Sequence, residues 1–595
     1  ENKMVVRLKL GFRLLRCNLS YKTRLSKVSQ PKETFRRAYC SSESPAKLDE
    51  NKMNNNVSEY ETFSWMKKIA PVFPVNGNKI KVLYQPAEFF TALKDNVSKA
   101  QHRIVIASLY LGSGHLEQEL IDCIYKASQL SKENNGNLKV DILLDHTRGS
   151  RGKVNSRTML LPLLQDFENV SVALYHTPDL RGWLRRVMPE KFNETIGLQH
   201  MKIYLFDDTL IISGANLSND YFSNRQDRYV MLENCKDLSD FYSNLIQTTS
   251  TFSMQLQPDN SEKLSQDFPY HPYKDRDGGK KFKAEAKQRI DNLIHQYMQS
   301  EPPGVPSASG DMPQKHNTSP EVKNVLFETI RSYTTGVNPN TIPTDLNPSM
   351  QNIHANQQND HIGNHVDPKD HKSCIQNKKT KEDTPDTWVF PLIQMGQLGV
   401  FMDNYVTEGL LVSAPDASNL HLTSGYFNLT DEYLNTILLN SKADYDILMA
   451  HPEANGFFTA RGILGAIPPA YTRIAKLFND RLIQHKQENR IKLCEYFRKD
   501  WTFHSKGLWY YLPGDKLPVL TLIGSPNFGY RSVYRDLESQ LAIVTENQEL
   551  RQQLHLEQQK LYSLSTPVNA ETFRQPDRYV PMWIRLVIRV IKTFF

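Results

Sequence analysis

LQHMKIYLFDDTLIISGANLSNDYFSNRQDRY, residues 198–229, decides the fold. His200 and Lys202 are two residues apart, so on an extended segment both side chains point the same way. The apolar run Ile203 to Phe206 leads into a turn at Asp207-Asp208, and Leu210 to Ile212 return as the partner strand. The hairpin runs out at Ser213-Gly214-Ala215-Asn216, where small residues let backbone and the Asn216 amide approach a ligand closely. Eleven residues after Asn216 stands Asp227.

An isolated His-x-Lys is more often a core histidine beside a surface lysine. A second copy overturns that reading. WTFHSKGLWYYLPGDKLPVLTLIGSPNFGYRSVYRDLESQLAIV, residues 501–544, sets His504 and Lys506 two apart, then Gly524-Ser525-Pro526-Asn527, then Glu538, again eleven residues after the asparagine. The histidines are 304 residues apart and the asparagines 311. The surroundings repeat too: VDILLDHTRG at Val140 is echoed by YDILMAHPEANG at Tyr445, and IVIASLYLG at Ile104 by LHLTSGYFN at Leu420.

Within the first half, apolar strands alternate with helices: strand Ile80 to Tyr84, helix Pro86 to Lys99, strand Ile104 to Tyr110, helix Leu116 to Leu130, strand Val140 to Leu144. This predicts an α/β fold of two homologous lobes, each a mixed β-sheet flanked by helices, with the lobes packed about a pseudo-twofold. The two His-x-Lys faces then meet in one shared cleft.

Two imidazoles, two ammonium groups and two carboxamides around one cleft suit a tetrahedral phosphodiester. Lys202, Lys506, Asn216 and Asn527 can bind non-bridging oxygens and stabilise developing charge. One imidazole attacks phosphorus while the other protonates the leaving group; Asp227 and Glu538 orient the rings through Nδ1. An ammonium cannot be a metal ligand and repels cations, so this set argues against a metal, and the chemistry requires no cofactor. Six cysteines without any Cys-x-x-Cys point to a reducing compartment and no structural zinc.

The run His200-x-Lys202-x4-Asp207 followed by Gly214-x-Asn216 resembles the signature of the phospholipase D superfamily, and the second copy matches it at His504, Lys506, Gly524, Ser525 and Asn527. There Tyr511 stands where the family has its aspartate, with Asp515 as a candidate substitute. The longer runs FHSKGLWYYLPG and LIGSPNFGYRSVYRDLESQLAIVTEN resemble the mitochondrial phosphatidylglycerophosphate synthases of that superfamily. The resemblance covers roughly residues 63–300 and 388–595. It implies catalytic roles for His200, Lys202, Asp207, His504 and Lys506, with His200 as nucleophile and His504 as general acid. It also implies CDP-diacylglycerol as donor and glycerol 3-phosphate as acceptor. Arg148 and Arg151 in HTRGSRGK are candidates for the acceptor's phosphate, and the glycine turn with Gly112 and Gly114 for nucleotide phosphates. The competing reading is a phospholipase D-type phosphodiesterase or nuclease that uses water.

Charge and composition set the frame. Residues 1–40 carry eleven Lys/Arg against two Glu, so of the net +7 the remaining chain holds −2. A body so close to neutral is not expected to bind nucleic acid. The segment from Met4 lacks acids through Gln30 and reads as a mitochondrial transit peptide over 1–40. A linker follows over 41–62, the first lobe over 63–299, a disordered insert over 300–386 and the second lobe over 387–578. Residues 579–595 read as a basic amphipathic helix on an anionic membrane surface, Arg585, Arg589 and Lys592 forming its cationic stripe. No stretch reaches the ~18 apolar residues of a bilayer span, so the protein is expected peripherally on the inner membrane, on its matrix side.

Overall fold

The strand Arg103–Ala107 sorts its side chains by alternation: Ile104 and Ile106 face one apolar cluster, Val105 and Ala107 the other. Strand Ile203–Phe206 does the same, sending Ile203 and Leu205 one way and Tyr204 and Phe206 the other. Both faces of this sheet are therefore covered, as near-continuous apolar strands require. The computed structural model describes residues 59–299 and 384–594. The expected transit peptide, most of the linker and all but the end of the insert lie outside these residues.

Helix Pro86–Lys99 runs to the bounds its sequence predicts. Proline opens it, Phe89, Phe90, Leu93 and Val97 form its buried stripe, and Ala100 turns extended to end it. Helices His115–Glu133 and Ser156–Asp166 then cross between three parallel strands, Arg103–Ala107, Lys139–Asp145 and Val170–Tyr175. The first sheet reads across as Met254–Leu256, Val170–Tyr175, Lys139–Asp145, Arg103–Ala107, Ile203–Phe206, Thr209–Ser213, Tyr229–Leu232 and Ile80–Leu83, with Glu262–Leu264 outermost beyond Met254–Leu256.

The second sheet gives the same order with the same parallel and antiparallel pairings. It runs Ser565–Val568, Ile491–Tyr496, Asp444–Ala450, Asn419–Ser424, Lys506–Tyr511, Leu520–Gly524, Leu537–Thr545 and Thr387–Met395. The expected pair of α/β lobes is present, and the matched topology is consistent with a pseudo-twofold.

The lobe boundaries depart from expectation in one respect. Strand Phe73–Val75 lies within the stretch assigned to the first lobe, yet it pairs antiparallel with Thr387–Val389 at the edge of the second sheet. Just upstream, helix Glu59–Phe63 replaces the end of the expected linker. Tyr60 stacks on Trp388 at 4.4 Å and Phe63 sits edge-on to Tyr510 at 5.2 Å. Aromatic burial against the second lobe draws this segment across.

Candidate active site

His200 and Lys202 precede the strand that begins at Ile203, in a segment that leaves its own sheet and runs against the other lobe. The Leu537 N–H donates to the Leu198 carbonyl at 2.7 Å, and the His200 N–H to the Leu537 carbonyl at 2.8 Å. The second copy does the reverse: Thr502–Phe503 pairs in parallel with Arg225–Gln226, and the His504 N–H donates to the Gln226 carbonyl at 2.8 Å. Each histidine segment is thus hydrogen-bonded to the residue just before the other lobe's carboxylate.

That crossing fixes the pairs. His200 Nδ1 lies 2.9 Å from Glu538 Oε2, and His504 Nδ1 lies 2.6 Å from Asp227 Oδ2. Lys202 Nζ donates to the His200 carbonyl at 2.6 Å and Lys506 Nζ to the His504 carbonyl at 2.5 Å; Lys506 is also 3.7 Å from Asp227. Gly214 makes room for this traffic. A Cβ there would stand 2.5 Å from Cδ of Lys506 and 2.6 Å from Oδ1 of Asp227.

Asn216 donates to the Tyr221 hydroxyl at 3.1 Å, and that hydroxyl is 3.3 Å from His504 Nε2. The carboxamide oxygens of Asn216 and Asn527 are buried without a hydrogen-bond partner among the described residues. Orphaned buried acceptors are expensive in a finished core and call for a donor; a phosphoryl oxygen, itself an acceptor, is met by the amide nitrogens instead.

Burial governs the charges. It draws Lys202 down to about 7 and Lys506 to about 8, the carboxylates of Glu538 and Asp227 opposing it. Asp227 is pushed up by burial to about 6 in spite of Lys506, whereas Glu538 is brought to about 2 because His200 and Lys202 outweigh its burial. Burial lowers His200, against Glu538; it lowers His504 much further, helped by Lys506, Arg225 and Lys202. An incoming anion relieves that pressure and favours protonation.

No family model matches the chain. Among curated proteins it is 46% identical, over 90% of its length and 86% of the relative's, to the mitochondrial CDP-diacylglycerol–glycerol-3-phosphate 3-phosphatidyltransferase of Homo sapiens. The same enzyme of Saccharomyces pastorianus is 32% identical over 87% of this chain and 88% of its own. The chain belongs to the CDP-diacylglycerol–glycerol-3-phosphate 3-phosphatidyltransferases. In fold it is similar to the phosphatidylserine synthase of Haemophilus influenzae, with a TM-score of 0.58 at 19% identity, over 90% of this chain and all of that one. Like its mitochondrial relatives it is an enzyme of phospholipid synthesis, and among the described residues no helix is long and apolar enough to cross a membrane.

Not every residue singled out in the sequence joins the transferase cleft. Asp207 sits at the hairpin turn with φ +48°, and its carboxylate accepts from the N–H groups of Gln101, His102 and Arg103 at 2.8, 2.8 and 3.0 Å. It is a turn residue rather than a catalytic one. Tyr511, in its place, bonds His555 at 3.0 Å, and Asp515 pairs with Arg551 at 2.8 Å instead of taking over the backbone role.

Gly112 and Gly114 pack against the Glu117 carboxylate, which a side chain at either would run into. That carboxylate also accepts from the Asn219 N–H at 2.7 Å, and its charge would repel a phosphate. Arg148 stacks on Tyr110, 3.8 Å from the ring centroid; both it and Arg151 reach Glu194, Arg148 at 3.7 Å and Arg151 much closer.

His200, Asp536 and Glu538 bring three donor atoms within 4.8 Å of one another. Those donors are already engaged: Glu538 holds His200, and Asp536 takes Arg531 at 2.9 Å and the Leu198 N–H at 3.0 Å.

Sequence reasoning missed the aromatic wall and its arginines. Tyr426 stands edge-on to His504 at 5.4 Å and stacks on Tyr471 at 5.5 Å, while Arg225 covers the Tyr221 ring at 4.7 Å. Arg225 pairs with Asp220 at 3.0 Å; in the second lobe Arg531 pairs with Asp536 at 2.9 Å. Laying NDYFSNRQD over YRSVYRDLE shows these ion pairs at one spacing with their signs exchanged, a signal available from the repeat.

Proposed function

We propose that the transferase works in two half-reactions through a phosphohistidine. Nε2 of His200 attacks the lipid-bearing phosphorus of CDP-diacylglycerol; a P–N bond forms, the bridging P–O bond breaks, and CMP leaves with a proton from His504. The 1-hydroxyl of glycerol 3-phosphate then gives its proton to His504 and attacks phosphorus. The P–N bond breaks, phosphatidylglycerophosphate departs, and His200 is restored.

The observation that carries this reading is the pair of cross-lobe contacts, His200 with Glu538 and His504 with Asp227, each leaving Nε2 as the working nitrogen. Lys202, Lys506 and the carboxamides of Asn216 and Asn527 supply charge and donors for the phosphoryl oxygens, so the steps draw on no metal or cofactor. Burial and the nearby cations oppose a proton on His504; the donor's diphosphate brings the negative charge that favours one. Arg148 and Arg151 are suited to the acceptor's phosphate if that anion displaces Glu194. We place the reaction on the matrix face of the inner mitochondrial membrane.

Labelled CMP tests the covalent step. With CDP-diacylglycerol and no glycerol 3-phosphate, the enzyme should exchange label into the donor, and transfer should proceed with retention at phosphorus. Absence of exchange together with inversion means one direct displacement and removes the phosphohistidine.

A further inference from the structure

Helix Met582–Ile591 is fastened to the second lobe along one narrow edge. Ile584 and Ile588, four residues apart, are 2% and 1% exposed, and with Val580 they form a small cluster against Ala470 of helix Ile467–Gln484. Met582, Trp583, Leu586 and Val587 turn away from the protein, as does Tyr579 just before the helix. Tyr579 is 69% exposed, Met582 64%, Trp583 53% and Leu586 71%, with Val587 beside them. A docked surface helix ordinarily shows water its polar face.

The segment itself carries charge of one sign. No acidic residue occurs from Arg578 to Phe595, Arg585 is exposed, and Lys592 is tied to Asp431 of the preceding lobe at 2.8 Å. A second copy of the chain would meet it with the same positive charge, whereas an anionic lipid surface complements it. The helix also adjoins the cleft. Asn428 donates to the Lys592 carbonyl at 2.6 Å, and Asn428 is two residues past Tyr426, whose ring abuts His504. Tyr471, stacked on Tyr426, belongs to the helix on which Ile584 and Ile588 rest.

We propose that Tyr579, Met582, Trp583, Leu586 and Val587 enter the interfacial layer of an anionic bilayer, and that Ile584 and Ile588 transmit this anchorage to the wall of the cleft. The sequence pattern had put the basic stripe toward the headgroups. In the folded chain the apolar face does the inserting and Arg585 flanks it. The inference rests on the lipid donor of the proposed function only for the reason such a surface is needed.

The test uses flotation of the full chain with phosphatidylcholine vesicles, with and without phosphatidylglycerol. The wild-type protein should float with the anionic vesicles, and the double variant Trp583→Ser/Leu586→Ser should partition about tenfold more weakly or worse. Its turnover of a short-chain, water-soluble CDP-diacylglycerol should stay unchanged. Wild-type protein that ignores anionic vesicles, or equal partitioning of the variant, overturns the proposal. So does a variant that only changes from oligomer to monomer, since the face would then join copies of the chain. Should the double variant unfold, brominated lipids decide: they should quench emission that Trp583→Phe lacks, and equal quenching of the two proteins counts against insertion. Loss of soluble-donor turnover alone would bear on the catalytic reading, not on this one.

Discussion

Nδ1 of His200 lies 2.9 Å from Oε2 of Glu538, a residue 338 positions later in the other lobe. The reciprocal contact joins His504 to Asp227 across 277 positions. Each histidine takes its carboxylate from the other half of the chain, so both His–carboxylate pairs exist only when the lobes are docked.

Glu538→Gln should leave the fold intact and lower kcat by about 10²–10⁴-fold with little change in KM, the range expected for general acid–base assistance. Asp227→Asn should do the same through His504. Both should slow CMP exchange, since CMP release draws on His200 and His504 alike; they separate in which step suffers, Glu538→Gln slowing formation and breakdown of the P–N bond and Asp227→Asn slowing protonation of CMP and deprotonation of the acceptor hydroxyl. A rapid-quench time course distinguishes them, and an unaltered kcat in either variant removes that carboxylate from the mechanism.

The lysines predict a proton balance. As pH rises, Lys202 loses its charge around 7 and Lys506 around 8. A bound diphosphate favours the charged form and raises both values, so binding at pH 8 should take up protons that at pH 6 the lysines already hold. Affinity should accordingly weaken as pH climbs through 7 to 8. Calorimetry of a soluble donor analogue in buffers of different ionisation enthalpy reads the uptake, and zero uptake at pH 8 contradicts it.

Asp207→Ala removes the acceptor of three backbone N–H groups and places alanine at positive φ. Stability should fall by about 1–3 kcal/mol, measurable by urea unfolding. Turnover per folded molecule should stay within about twofold of wild type, far from the loss expected of a general acid or base. A selective collapse of kcat would return Asp207 to the catalytic set.

Gly214→Ala should do the opposite. The added methyl meets Lys506 and Asp227 together, so kcat should drop by about 10²-fold or more as both are displaced, with only a modest loss of thermal stability. Full activity in that variant would show that the lysine can reach phosphate by another path.

Much of this was readable before folding because a repeat multiplies weak signals. One His-x-Lys says little, but two, each followed by glycine, asparagine and a carboxylate eleven residues after that asparagine, and set in matched strand patterns, define two lobes and one cleft. Helix Pro86–Lys99 follows from proline, apolar spacing and local propensity, all short-range terms. A turn carboxylate and a catalytic one look alike in a motif, and at Asp207 it is the three N–H partners that show the turn role. That Glu117 packs against the glycine turn at Gly112 is likewise a fact no local pattern reveals.

The sequence by itself determined the duplicated α/β lobes, the histidines, lysines and asparagines, and their phosphoryl chemistry, because residue type and period act within a few positions. Tertiary structure alone decided which carboxylate serves which histidine, the crossing of Phe73–Val75 into the second sheet, and which face of the last helix stays bare. Those outcomes depend on contacts between segments hundreds of residues apart, where burial and packing, rather than local pattern, choose the partner.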